Sequence, residues 1–277
     1  MPAVTACGAL PAGGILQAFW RVRGHEPEPG TRILDPTLTV LLYSSVAAFA
    51  AGLGVLPLIR DRRPPLRMIG WSNALASGLM LGVAYALMIS GLDGSAMSVG
   101  GGALLGVFIV YVTHALTGTA DLDLNRLDEK AEKYGYQVIL VNTLHAAHEG
   151  VAIGAAMAVS LPLGVLAALA LAVHNIPEAT ILSAVLTNRG VRLRDAAVLS
   201  IATNVNQVML ALVIFSIVLV APAFLPWALG YAVGALIYLV MVELLPESYH
   251  QAGHTSIAMV TLVAMGIVVL ARAWTGH

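Results

Sequence analysis

Cysteine and charge are both scarce in this chain. With one cysteine, Cys7, among 277 residues, no intramolecular disulfide can form and a thiolate-rich metal site is excluded. Charged residues make up 10% of the chain and hydrophobic residues 58%, a balance that belongs to a polytopic membrane protein rather than to a water-exposed globule. The net charge of −1 singles out no partner class, and no nucleic acid is expected. A phosphate loop is missing too. Gly100, Gly101 and Gly102 follow no strand and precede no lysine, so they read as close helix packing. No His-Glu-x-x-His string occurs, which argues against a zincin protease; His145-Ala146-Ala147-His148-Glu149 has the wrong order.

What the chain has in quantity is long apolar runs. Crossing about 30 Å of hydrocarbon at about 1.5 Å per residue takes about 20 residues. Runs of that length recur roughly at 37–59, 68–91, 97–117, 136–160, 162–187, 195–220, 223–245 and 255–273, about eight spans by that criterion. Short connections make residues 37–277 a single all-α transmembrane domain. Residues 1–36 form a separate N-terminal segment, in which Ala6 to Trp20 is apolar but too short to span and lacks the basic start of a secretory signal. The longest polar connection, near 119–135, reads as a solvated cytoplasmic loop. Arg60, Arg62, Arg63, Arg67, Arg126, Lys130, Lys133, Arg189, Arg192 and Arg194 fall on one side of the bundle, against Arg21, Arg23, Arg32 and Arg272 on the other. The side richer in Lys and Arg faces the cytoplasm, so both termini are expected outside it.

Polar residues inside the spans collect in spans 4 to 7. His145 and Glu149 are four apart in span 4, and His174 and Glu178 repeat that spacing in span 5. Residues four apart share a helix face, so each pair can aim an imidazole and a carboxylate at one point between neighbouring helices. A carboxylate at mid-bilayer costs roughly 2.5 to 3.5 kcal/mol on insertion scales, and no basic residue lies at that depth to offset it. A cation is the simplest partner. Asn142 and His148 share the span 4 face, and Pro177 in span 5 frees the carbonyl of Val173. Asn204, Asn206 and Gln207 in span 6 can complete a site but cannot cancel positive charge. Glu243, Glu247, His250 and His254 form a stripe running toward the cytoplasmic face, as a path would. His114, in span 3, reads as structural or interfacial. Imidazole with carboxylate suits zinc, iron or manganese better than calcium or copper(I).

These motifs, in this order, resemble the ZIP (Zrt- and Irt-like) divalent metal transporters of bacterial type. The family's span 4 motif His-Asn-x-Pro-Glu-Gly is similar to His145-Ala146-Ala147-His148-Glu149-Gly150, and its span 5 His-x-x-Pro-Glu to His174 through Glu178. The span 7 Glu-x-x-Pro-Glu with following histidines is similar to Glu243, Pro246, Glu247, His250 and His254. Ser90-Gly91-Leu92-Asp93 resembles the extracellular entrance, which makes Asp93 a metal-collecting residue. The resemblance implies an eight-helix bundle in which spans 1, 4, 5 and 6 carry metal against a scaffold of spans 2, 3, 7 and 8. It also implies a bacterial inner (plasma) membrane location and a homodimer. Many members hold two metals; Ala146, His148, Asn175 and Gln207 depart from that pattern and argue for one principal ion.

The function expected is import of a divalent transition metal, zinc first, then Fe2+, Mn2+ or Cd2+, as transported substrate and not as cofactor. The ligand set expected is His145, Glu149, His174 and Glu178, supplemented by His148, Asn175 and Gln207. One divalent ion with two carboxylates and two neutral imidazoles is formally neutral, which eases its passage through a low-dielectric bundle. No ATP-binding motif is present, so the metal gradient, the membrane potential or a coupled ion would drive transport. Two rivals stay open from sequence: a membrane-embedded zinc hydrolase of the ceramidase type, and a metal sensor that does not transport.

Overall fold

Residues 35–60, 65–92, 94–118 and 132–275 are described by a computed structural model. The calls on residues 1–34, on Asp93 and on most of the 119–135 loop lie outside the described residues. Within them the chain is all-α, with eight long helical segments: α1 (Pro36–Arg60), α2 (Leu66–Leu92), α3 (Ala96–Thr117), α4 (Glu132–Val159), α5 (Leu161–Asn188), α6 (Leu193–Val220), α7 (Pro222–Ala252) and α8 (His254–Thr275). Seven are long and apolar enough to cross a membrane. The exception is α4, which has the length, 28 residues, but whose apolarity Gln137, Asn142, His145, His148 and Glu149 dilute.

Side-chain caps fix several ends. Asp35 accepts from the backbone N–H of Thr37 ahead of Pro36, and Ser160 accepts from Leu163 N–H ahead of Pro162; each acceptor satisfies a backbone donor that the helix itself leaves orphaned. α3 stops at Gly118, whose φ of +67° is the left-handed conformation a glycine adopts without cost. Two boundaries differ from those the hydropathy implies. α4 begins at Glu132, so the last residues of the expected loop are helical, and α7 continues to Ala252, because a solvated helix end needs no apolar side chains.

The helices pack in two groups. α3 lies along α7 and α2 along α8, while α4 lies along α6 and against α5, and α5 against α1. Small residues set these contacts. A Cβ on Gly102 or Gly106 of α3 would strike the backbone of Trp227 or Tyr231 on α7, and one on Gly230 or Gly234 would strike Val99 or Ala103 in return. Gly150 and Gly154 of α4 meet Gln207 and Ala211 of α6 in the same way. Backbone approach this close is how helices gain dispersion contact where lipid supplies no hydrophobic drive. Of the glycines read as packing residues, Gly101 and Gly102 touch Trp227, whereas Gly100 faces open space. The groups meet where α2 contacts α5 and where α4 contacts α7.

Three helices depart from regular pitch. α1 tightens to a 3-10 turn at Ala51–Val55, just ahead of Pro57. α6 is interrupted at Asn204, where Gln207 N–H bonds to the Asn204 carbonyl. α7 widens to a π-turn at Val240–Leu244, with Leu245 N–H reaching the Val240 carbonyl, one residue before Pro246.

Candidate metal centre

α4 and α5 deliver the central side chains. His145, Glu149 and His174 are 3%, 0% and 1% exposed, so each is out of reach of solvent. One oxygen of Glu149, one ring nitrogen of His174 and one oxygen of Glu178 all lie within 4.8 Å of one another. His174 Nε2 is 2.8 Å from Glu149 Oε1 and 3.4 Å from Glu178 Oε2, and His145 Nδ1 is 3.3 Å from Glu178 Oε1. None of these contacts has hydrogen-bond geometry: both ring nitrogens of His145 and of His174, Glu149 Oε1 and Glu178 Oε1 are buried without a hydrogen-bond partner.

Two of those separations, 3.4 Å and 3.3 Å, fit a different geometry. Two donors, each about 2.0–2.1 Å from a tetrahedral zinc ion, stand about 3.4 Å apart along the tetrahedron's edge. Buried carboxylate oxygens and ring nitrogens at that spacing, without hydrogen bonds between them, form a frame that suits a bound cation. An all-oxygen calcium cage of six to eight ligands is absent from the group.

Around this frame lies a row of neutral amides. Gln207 Nε2 donates to Glu149 Oε2 at 2.9 Å, and Asn175 Nδ2 donates to Gln207 Oε1 at 3.1 Å and to the Ala47 carbonyl at 2.8 Å. α1, α5, α6 and α4 are thereby tied to a single carboxylate. Outer partners of this kind orient ligands and raise metal affinity. Gln207 thus holds Glu149 and is itself held by Asn175, whose Oδ1 is buried without a hydrogen-bond partner.

A match to the family model described as ZIP zinc transporter spans residues 123–272. The chain is also 30% identical over 227 residues to the zinc transporter GufA of Myxococcus xanthus, an alignment covering 77% of this chain and 89% of that protein. This chain belongs to the ZIP family. A second relative, an Arabidopsis thaliana protein with a provisional zinc-transporter name, is 32% identical over 247 residues; the match covers 87% of this chain, which spans 40% of that protein's length.

Within this ZIP chain the span 7 stripe divides. Glu243 joins the centre, with Oε2 3.5 Å from His145 Nε2 and Oε1 3.4 Å from His114 Nε2, because the π-turn shifts the register of α7 there. Glu247 is half-buried and accepts from Gln251 at 2.7 Å. His250 is exposed, and so is His254, which stacks on Tyr249 at 5.0 Å at the α7–α8 corner. His148 does not reach the carboxylates of the frame by any short contact; its Nδ1 pairs with the Tyr231 hydroxyl of α7 at 2.8 Å. His114, read from sequence as structural or interfacial, is 2% exposed and lies beside Glu243. Its signal was an ionisable side chain in an otherwise bare span, which in a membrane marks function by default.

Proposed function

We propose that this protein carries divalent transition-metal ions, zinc foremost, across a membrane into the cytoplasm, with the ion held by Glu149, His174 and Glu178 and by His145 beside them. The observation that carries this reading is the buried carboxylate–imidazole group of Glu149, His174 and Glu178, whose ligand atoms lie within 4.8 Å of one another, with Glu178 near tetrahedral edge lengths from His174 and His145 and no hydrogen bonds between them. Zinc-transporter names on relatives that align over most of the chain support the same cargo. Fe2+, Mn2+ and Cd2+ present similar charge and accept the same donors.

In this reading the α1–α4–α5–α6 group moves against the α2–α3–α7–α8 group, as in the family scaffold. Metal enters past Asp93 and leaves along Glu247, His250 and His254. Orientation follows the basic side of the chain, with both termini outside the cytoplasm, in a bacterial inner membrane and as a homodimer. No basic side chain among the described residues lies at the depth of the frame; Arg60, Arg67, Lys133, Arg189, Arg192, Arg194 and Arg272 all sit near helix ends.

Zinc flux into proteoliposomes loaded with a fluorescent chelator tests the reading. Saturable uptake by the wild type, lost in His145→Ala/Glu178→Ala protein, is the expected result. Equal uptake by the two proteins would remove the assigned site. Tight stoichiometric binding without flux would favour a sensor instead.

A further inference from the structure

We infer that His148 of α4 and Tyr231 of α7 form a clasp that holds the seam between the two helix groups shut, and that the Tyr231 hydroxyl thereby sets how often the buried centre opens. The pair is hydrogen-bonded, with His148 Nδ1 2.8 Å from the Tyr231 hydroxyl.

Each half of the clasp is mounted on a tightly packed helix pair. Tyr231 lies where α7 runs against α3 so closely that a Cβ on Gly102 or Gly106 would meet its backbone. His148 stands two residues before Gly150 on α4, whose Cβ would strike Gln207 of α6, and Gly154 repeats that contact at Ala211 one turn on. The hydrogen bond therefore joins the α3–α7 pair to the α4–α6 pair. A shift of one group against the other has to break it.

Burial decides what breaking it requires. His148 is 5% exposed and its Nε2 is buried with no hydrogen-bond partner, so among the described residues the Tyr231 hydroxyl is the ring's one hydrogen-bond partner. Pulled apart in a dry seam, imidazole and hydroxyl would both be left unsatisfied, the costly arrangement for buried polar groups. They part only as water enters to replace the bond. Opening and hydration of the seam are then a single event. Without the clasp nothing polar registers one surface on the other nearby, where Ala152 and Ala155 of α4 and Ala228 and Ala232 of α7 are buried in one apolar cluster.

The clasp also has a side. α4 ends at Val159, about 16 Å beyond His148, and α7 begins at Pro222, about 14 Å before Tyr231. It therefore lies inside the bundle, one helical turn nearer than His145 to the face where α4 ends and α7 begins. In the orientation of the transport reading that face is extracytoplasmic, and the clasp closes the way in. Its role as an entrance gate rests on that reading, whereas opening of the seam is measurable without any metal.

Thiol labelling of the purified full chain in detergent tests it. Ala152 follows His148 by four residues on the same face of α4 and is fully buried, so in a Cys7→Ser background Ala152→Cys reacts with a charged methanethiosulfonate only when the seam takes in water. Tyr231→Phe, which keeps the ring and removes the hydroxyl, should speed labelling by about 2- to 10-fold, the worth of one neutral hydrogen bond in an equilibrium. His148→Leu should speed it equally. The two together should label no faster than either alone, because the same bond is missing in all three. His148→Gln, whose amide can still pair with the hydroxyl, should stay close to the parent. Ala155→Cys, about one turn further on, replaces the probe if Ala152→Cys protein is not monodisperse. Equal labelling with and without the hydroxyl would overturn the clasp, and so would immediate labelling of the parent or additive effects of the two single changes. The expected labelling pattern in protein that takes up no zinc would keep the clasp and sink the transport reading instead.

Discussion

Gln207 serves two neighbours at once, accepting from Asn175 and donating to Glu149, and a side chain of the same length without polar atoms separates that role from packing. Gln207→Met leaves Glu149 Oε2 without its amide donor and Asn175 Nδ2 with the Ala47 carbonyl alone, at a cost of about 1–3 kcal/mol. Zinc affinity should fall about 10-fold or more, read by competition with a chelator, and the thermal midpoint in detergent should drop with it. Unchanged affinity would reduce Gln207 to a packing residue. The frame residues themselves were legible in the sequence, since a spacing of four puts His145 with Glu149, and His174 with Glu178, on one face of any straight helix. Gln207 and Asn175 were legible as polar residues at the right depth, but their bonds to Glu149 and to one another were not, because those depend on the rotation of α6 and α5 about their axes, which spacing does not report.

At the scale of the helix, Gly154 and Gly100 make opposite predictions. A Cβ at Gly154 runs into the backbone of Ala211, whereas one at Gly100 meets nothing within 4 Å. Gly154→Val should therefore push α6 from α4, separate Gln207 from Glu149, and lower both thermal stability and zinc uptake. Gly100→Ala should leave both within about 0.5 kcal/mol of wild type. A Gly154→Val protein as stable and active as wild type would show that the α4–α6 contact is not what places the ligands. The long apolar helices were readable from hydropathy alone, with ends off by a few residues where solvated turns continue, as at Glu132 and Ala252. The π-turn at Val240–Leu244 was not, because an extra residue in a helical turn leaves the apolar pattern intact while moving Glu243 onto His145. Regular pitch placed Glu243 in a stripe with Glu247 and His250, and pitch is the one property that a π-turn changes.

For the whole molecule, the division into two helix groups bears on how cargo moves. If flux requires those groups to shift, a short bridge between α4 and α7 should stop it. The rings of His148 and Tyr231 stand with centroids 5.9 Å apart across that boundary, and Cys7 is the chain's one native thiol. In a Cys7→Ser background, His148→Cys/Tyr231→Cys protein treated with a short bifunctional thiol reagent should lose the zinc uptake it has before treatment. Each single-cysteine protein should keep its own. Full uptake by the bridged protein would mean that ions pass without relative movement of the groups. The pairing of helices into groups could be expected from family resemblance but not from periodicity, since every membrane helix offers an apolar face and small residues choose among them. The connected centre counts three carboxylates, Glu149, Glu178 and Glu243, with no described lysine or arginine at their depth. Whole divalent ions beside neutral imidazoles cannot balance an odd number of carboxylates. With all three ionised, one ion leaves a unit of negative charge and two leave a unit of positive, and a membrane potential does work on such a charge of about 2.3 kcal/mol per 100 mV if it crosses the membrane. On the transport reading, and with no proton moving the other way, zinc flux into proteoliposomes is expected to follow an imposed membrane potential as well as the concentration of metal.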